Sequence, residues 1–271
     1  MTKIGIIGTG SMGGMLIRKF TETGAIGAKD IIACNRSPEK LRSLADLTGM
    51  TIGANNRDVV KRSDVIFLCV KPLDVKGIMN EVKDVLTHDK LLISIASGIT
   101  IDDLSALSGA RIARVIPSVT SECLKGVSLV TFGPGVITAD RELILSLLGH
   151  IGKPVETEEK NLGLLTDLTS CAPAFIAAMM REFALSAVRK DGVPVELAEL
   201  LVKETLAGTT ELLVRDGCSF EAIIEEVATK GGITEEGVKV IDREIPAMYD
   251  HLLDATRAKR KLVIENIKNQ K

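Results

Sequence analysis

The run Lys3-Ile4-Gly5-Ile6-Ile7-Gly8-Thr9-Gly10-Ser11-Met12-Gly13-Gly14 constrains this chain more than any other stretch. Ile4, Ile6 and Ile7 read as a short buried strand, β-branched and stopped by glycine. Gly8, Gly10 and Gly13 follow at G-x-G-x-x-G spacing, and Met12 to Phe20 continues with the period of an amphipathic helix. Strand, glycine turn and helix in that order form a cradle for a pyrophosphate. Gly8 permits the tight turn, Gly10 lets the phosphates approach the backbone, and Gly13 lets helix and strand pack closely. The helix N-terminus then faces the anion with free N–H groups and a positive dipole. Thr9, Ser11 and Met12 belong to the same turn.

Composition narrows the partners. The chain has 271 residues, 45% of them hydrophobic and 26% charged, with a net charge of −2. That length supports one large or two smaller domains. Near-neutral charge argues against nucleic acid or an anionic membrane as the main partner. No apolar run is expected to reach the roughly 20 residues of a membrane span, and Met1 leads straight into a strand, so a cytoplasmic protein without a signal peptide is expected. Five scattered cysteines, Cys34, Cys69, Cys123, Cys171 and Cys218, form no C-x-x-C pair. Free, mostly buried thiols in a reducing compartment fit better than a metal site or a disulfide framework.

Asp30 to Cys34 reads as the second strand, ending at Asn35-Arg36-Ser37 before a helix that opens at Pro38. An NAD-selective fold places an acid at this strand end to hold the ribose 2′-hydroxyl. Here an amide, a guanidinium and a hydroxyl stand instead, and Arg36 suits a 2′-phosphate, so NADP(H) is expected, with NAD(H) as a second cofactor. Thr51-Ile52, Val65 to Val70, Leu91 to Ile95 and Ile112 to Ile116 read as further strands, with a helix from Asn56 to Lys61. Gly126 to Phe132, a helix over Ala139 to Leu148, and Lys153 to Val155 complete an α/β, Rossmann-type doubly wound parallel sheet. Its ligand crevice should be ringed by the strand ends at Gly8, Asn35, Val70-Lys71-Pro72, Ala96-Ser97-Gly98 and Pro117-Ser118.

Beyond Glu158 the strand pattern stops. Helical periods run over Asn161 to Lys190, Val195 to Arg215, Phe220 to Thr229, Glu235 to Glu244 and Ala247 to Asn269, punctuated at Gly192-Val193-Pro194 and at Asp216 to Ser219. The domain boundary is expected near residue 157, giving a dinucleotide-binding domain over 1–157 and an all-α domain over 158–271. Small and large apolar residues alternate along Ala172 to Ala187, a surface that buries more than one face, at the centre of a bundle or at a subunit interface. The terminal charges at Lys259-Arg260-Lys261 and Lys268 to Lys271 read as a solvated helix face. His88, His150 and His251 lack partner motifs and read as structural or surface residues.

One further stretch carries chemistry: Thr229-Lys230-Gly231-Gly232-Ile233-Thr234-Glu235-Glu236-Gly237. Thr234 can cap a helix through the N–H of Glu236 or Gly237. Gly231-Gly232 can equally expose N–H groups as a nest for a carboxylate, with Thr229 and Thr234 at its rim. Composition leaves the two readings even.

Taken together, Gly8 to Gly13, Asn35-Arg36-Ser37, Asn56, Val70-Lys71-Pro72, Ser94 to Gly98, Arg114 to Pro117, Ala172-Pro173-Ala174 and Gly231 to Thr234 resemble the pyrroline-5-carboxylate reductase family, nearly end to end. The resemblance implies a Rossmann domain followed by a helical domain that interlocks subunits as a homodimer or a ring of dimers. It implies NAD(P)H-dependent reduction of the cyclic imine 1-pyrroline-5-carboxylate to L-proline. It also implies that Thr229, Lys230, Gly231, Gly232, Ile233 and Ser118 contact substrate, and that Thr234 bonds the ring nitrogen or relays its proton. Asn56 joins the cofactor residues, and Lys71-Pro72 and Pro117 line the nicotinamide. Ser118, Thr120, Cys171, Lys230 and Ile233 depart from the family pattern, which usually has asparagine, proline, glycine, proline and a small or hydroxylated residue there. In these positions the chain resembles a divergent branch found in late-competence operons, for which the alternative is a regulatory NADP-binding protein or a reductase of another cyclic imine. A β-hydroxyacid dehydrogenase would need a lysine base in the first helix of the second domain, and none stands between Asn161 and Arg189. A deazaflavin-dependent reductase shares the first domain but not so long a helical tail.

Overall fold

The computed structural model describes residues 2–215 and 217–269. Asp216 of the predicted turn, and Gln270 and Lys271 of the terminal charges, lie outside the described residues. Contacts divide the chain into two compact units, one reaching to Cys171 and joined by the residues from Arg257 on, the other spanning Ala172–Thr256. The sheet ends at Glu156, whereas the units divide some turns later.

The first unit holds eight strands: β1 (Ile4–Ile7), β2 (Ile31–Cys34), β3 (Thr51–Ile52), β4 (Val65–Leu68), β5 (Leu91–Ser94), β6 (Arg111–Ile116), β7 (Gly126–Phe132) and β8 (Gly152–Glu156), in the order β3-β2-β1-β4-β5-β6-β7-β8. Helices α1 (Ser11–Glu22), α2 (Pro38–Thr48), α3 (Asn56–Lys61), α4 (Pro72–Val82), α5 (Ile101–Ser105), α6 (Thr138–Gly149) and α7 (Leu162–Thr166) accompany it. Alternation along each strand sends side chains to two cores. Ile4, Ile6 and Phe67 pack with Leu16 and Phe20 on one face, while Ile7, Ile66 and Leu68 pack with Val59, Val75 and Met79 on the other. Each such side chain, fully withdrawn from water, contributes about 1.5–3 kcal/mol before entropy is charged.

The sequence predicts a parallel sheet throughout, but β7 runs antiparallel to β6. The segment from Pro117 to Lys125 is too short for a crossover, which needs roughly a dozen residues or more. It turns instead through a 3₁₀ stretch, Val119–Cys123, closed by Leu124 at φ 58°.

In the second unit, α8 (Ala172–Asp191), α9 (Val195–Arg215), α10 (Phe220–Val227) and most of α11 (Ile233–Lys268) follow one another. The sequence expectation of one helix over Asn161 to Lys190 is corrected: α7 passes through a π-turn at Asp167–Cys171 before α8 begins. Two helices were expected on either side of Pro246, yet α11 continues through it. Its 36 residues absorb the roughly 3 kcal/mol that an interior proline costs. The stretch Glu159–Asp191 is long and apolar enough, by length and composition, to cross a membrane, which corrects the expectation that no run approaches that length.

Candidate active site

The glycine turn has the geometry its spacing predicts. Gly8 sits at φ +92°, where a Cβ would lie 2.5 Å from the Cys69 carbonyl oxygen, and one on Gly13 would lie 2.0 Å from the Gly8 oxygen. Around Gly10 a Cβ would meet nothing within 4 Å. Gly8 and Gly13 are therefore required by the fold, whereas Gly10 is open toward a ligand. The N-terminus of α1 has no side-chain cap and no acid in its first turn, so its leading N–H groups have no partner within the helix. The Thr9 hydroxyl is buried without a hydrogen-bond partner. Donors without acceptors, an open backbone and a positive helix end fit a pyrophosphate.

A crevice of about 560 Å³ opens beside this turn, lined by Gly8, Gly10, Asn35, Arg36, Asn56, Val70 and Lys71. It gathers these predicted cofactor residues at the point where β2, β1 and β4 lie side by side. Val70 and Lys71 precede α4, which opens at Pro72. Ser37 occupies the N-cap of α2 without a capping bond. Ser11 opens α1 and Met12 packs partly against the core. The Asn35 side chain accepts the Arg36 backbone N–H at 2.9 Å.

Two acids line the same crevice that sequence reading did not single out. Arg36 Nη2 donates to Asp74 Oδ2 at 3.1 Å, with Nη1 3.5 Å from Oδ1. Asn56 Nδ2 donates to Glu81 at 2.7 Å, while its oxygen accepts from Cys34 Sγ at 3.1 Å. Burial, then the charges of Glu81 and Asp58, push the Cys34 thiol up to about 12, which keeps its proton available for Asn56. Asp74 was findable: an acid two places after Pro72 is a helix-start signature.

Ala96, Ser97, Gly98 and Pro117 lie elsewhere. Ser97 and Gly98 line a larger cleft of about 830 Å³. There a Cβ on Gly98 would come within 3.2 Å of Ile267. Ala96 is buried, its carbonyl accepting Arg114 Nη2 at 3.3 Å, and Pro117 is buried. The charges of the large cleft are largely neutralised. Arg114 pairs with Glu159 at 2.7 Å, Arg260 with the buried Asp167 at 2.6 Å, and Lys160 with Glu158 at 2.6 Å. Arg260 thus departs from the solvated face expected of it.

Ser118 is buried and its hydroxyl donates to the Thr169 carbonyl in the π-turn at 3.2 Å, while accepting from Thr120 Oγ1 at 2.9 Å. Expected at the substrate, it ties the end of β6 to the π-turn instead.

In the second unit, Thr234 is not the N-cap. The helix α11 already begins at Ile233, because Gly231 takes φ +74° and the Gly232 N–H bonds the Thr229 carbonyl at 2.8 Å. The Glu235 carboxylate reaches back past the helix start and accepts the Gly231 N–H at 2.6 Å. That bond, then Lys239, holds the Glu235 carboxyl below the usual range. Both glycine N–H groups expected to be exposed are therefore engaged. Thr229, Lys230, Ile233 and Thr234 are all exposed, Ile233 to 95%.

The expectation of mostly buried cysteines holds for Cys34. Cys123 is exposed, and Cys69, Cys171 and Cys218 are intermediate, all five being free.

A family model described as NADP oxidoreductase, coenzyme F420-dependent, matches residues 3–98, and one described as pyrroline-5-carboxylate reductase dimerisation matches residues 159–262. The chain is 35% identical to pyrroline-5-carboxylate reductase 3 of Bacillus subtilis, covering 100% of both chains. It is 34% identical to ComE operon protein 4 of the same organism, over 99% of this chain and 98% of that one. Its fold matches the structure of a pyrroline-5-carboxylate reductase from Coxiella burnetii with a TM-score of 0.88 at 26% identity, covering 96% and 97% of the two chains. With an open phosphate cradle at one end and a dimerisation module at the other, the chain belongs to the pyrroline-5-carboxylate reductase family of NAD(P)H-dependent oxidoreductases.

Proposed function

We propose that this protein reduces 1-pyrroline-5-carboxylate to L-proline with NADPH, with NADH as a second cofactor, in the cytoplasm. The observation that supports it most is the open first turn of α1, where Gly10 is unobstructed and the Thr9 hydroxyl unpartnered. Full-length likeness to a relative named for this reduction supports the choice of substrate class.

Residues up to about 157 take the cofactor. Gly8 to Gly13 hold the pyrophosphate, Asn35, Arg36 and Ser37 the adenosine phosphate, and Asn56 the adenosine. Val70, Lys71, Pro72, Ala96, Ser97, Gly98 and Pro117 line the nicotinamide end. Once bound, the nicotinamide supplies a hydride. A protonated imine is already electrophilic, so the chain needs no general base and contributes orientation and exclusion of water. In the helical part, the N–H groups of Ile233 and Thr234, at the start of α11, hold the substrate carboxylate. The Thr234 hydroxyl bonds the ring nitrogen or relays its proton, and Thr229 and Lys230 stand at the rim. Ser118 acts through the π-turn rather than on substrate.

The same helices form a homodimer or a ring of dimers. In α8 only Ala184 is buried, while Phe183 is 68% exposed and Val214 of α9 71% exposed. Apolar surface of this extent marks a face that another chain covers.

A second reading is an NADP-binding protein with lost or altered turnover. One observation favours it: Glu235 and Thr229 already occupy the two glycine N–H groups. Following NADPH oxidation and proline formation with the purified protein decides between them. Turnover on pyrroline-5-carboxylate is expected; tight NADPH binding without turnover on any cyclic imine would leave the second reading.

A further inference from the structure

We propose that Asp74 is a specificity-determining residue that restrains the preference for NADPH and gives NADH a hydrogen-bond acceptor. The inference rests on reading the crevice at Gly8–Gly13 as a dinucleotide site. Strand β1 is flanked by β2 on one side and β4 on the other. Arg36 follows β2, and Asp74 stands in the first turn of α4, which follows β4. Their forked pair, at 3.1 and 3.5 Å, therefore spans the end of β1 above the glycine turn. Both residues line the crevice.

The usual acid that reads the ribose 2′-hydroxyl ends the second strand. This chain has Arg36 near that place, but brings a carboxylate to the same point from the other side of β1. A 2′-phosphate drawn to Arg36 must displace Asp74 or lie beside its charge. A 2′-hydroxyl suffers no repulsion and can donate to a carboxylate oxygen. The Arg36 side chain is 84% exposed and that of Asp74 31% exposed, so the pair contributes little to stability and can open for a ligand. Like charges about 5 Å apart at the dielectric of water weaken binding roughly fourfold, and more in a partly enclosed cleft.

Direct binding of NADPH and NADH, by calorimetry on the intact protein, tests this without reference to turnover. Asp74→Asn removes the charge and keeps an acceptor; Asp74→Ala removes both. Both variants should tighten NADPH by about fourfold or more, and only Asp74→Ala should also weaken NADH. Unchanged or weaker NADPH binding in Asp74→Asn would overturn the proposal, since Asp74 would then serve only to orient Arg36. If the unaltered protein binds neither nucleotide, the crevice assignment falls and Asp74 with it. If it binds both and the ratio ignores Asp74→Asn, only the role of Asp74 falls.

Discussion

The two units of this chain solve opposite problems. In the first, strands and helices cover each other, and the clusters around Phe20, Phe67 and Met79 are closed to water. In the second, α10 and α11 have no buried residue among those described, and large apolar side chains such as Phe220 and Ile233 face outward. A doubly wound sheet can bury its own apolar faces within one chain. Long helices with apolar residues on several sides leave part of that surface exposed within one chain, and the proposed second copy would cover it. The first unit carries a cofactor cradle built to completion, and the second carries the exposed loop proposed to take the substrate.

The largest expected effect separates two glycines of one turn. Gly13→Val should destabilise the fold by more than about 4 kcal/mol, because its Cβ falls on a backbone oxygen. Gly10→Val should leave the melting temperature nearly unchanged yet weaken NADPH by roughly 100-fold, since only the ligand's space is filled. Thermal melts paired with calorimetry check both; equal loss of stability would show that Gly10 also serves the fold.

Next is the outward face of the second unit. Phe183→Glu should convert the assembly to smaller species in light scattering and lower the helical melting transition, while α1 and the sheet keep binding NADPH. An unchanged mass would mean this face is not the interface. Thr234→Ala should lower kcat about tenfold or more and leave NADPH affinity intact, measured by steady-state kinetics and calorimetry. A parallel loss of affinity would contradict its placement at the substrate.

Ser118→Ala breaks the bond to Thr169 and should cost about 1–2 kcal/mol in chemical denaturation. The smallest effect is chemical. Burial pushes the Cys34 and Cys69 thiols up to about 12, so alkylation of the native protein should label Cys123 first and spare these two through mildly alkaline pH. Because the folded state holds their protons more tightly, their contribution to stability is complete below about pH 9 and is lost as pH rises toward 12.

Much of the first unit was legible along the chain. The limits of β3, α3 and β7 agree with the sequence pattern, because glycine, proline and runs of β-branched residues act over a few positions. The glycine turn was equally plain, since the φ angle at Gly8 and the close approaches at Gly8 and Gly13 tolerate no other residue. The glycine loop before α11 was half legible. Two glycines before a helix announced a turn and an N-terminus, but which group would cap it was open between Thr234 and a ligand. In the structure α11 begins at Ile233, so Thr234 lies inside its first turn and the Glu235 carboxylate takes the Gly231 N–H.

What local pattern determined, then, was the order of elements, the buried faces and the cradle. What it left undecided were pairings between distant residues. Arg36 meets Asp74 across 38 positions, Arg114 meets Glu159 across 45, and Arg260 meets Asp167 across 93. The reversal of β7 and the tie from Ser118 to the π-turn belong with them. Backbone preferences and hydrophobic period are properties of a few neighbouring residues, readable wherever they occur. An ion pair exists only where strand order and helix packing bring two charges within about 4 Å, and no short stretch of sequence contains that distance.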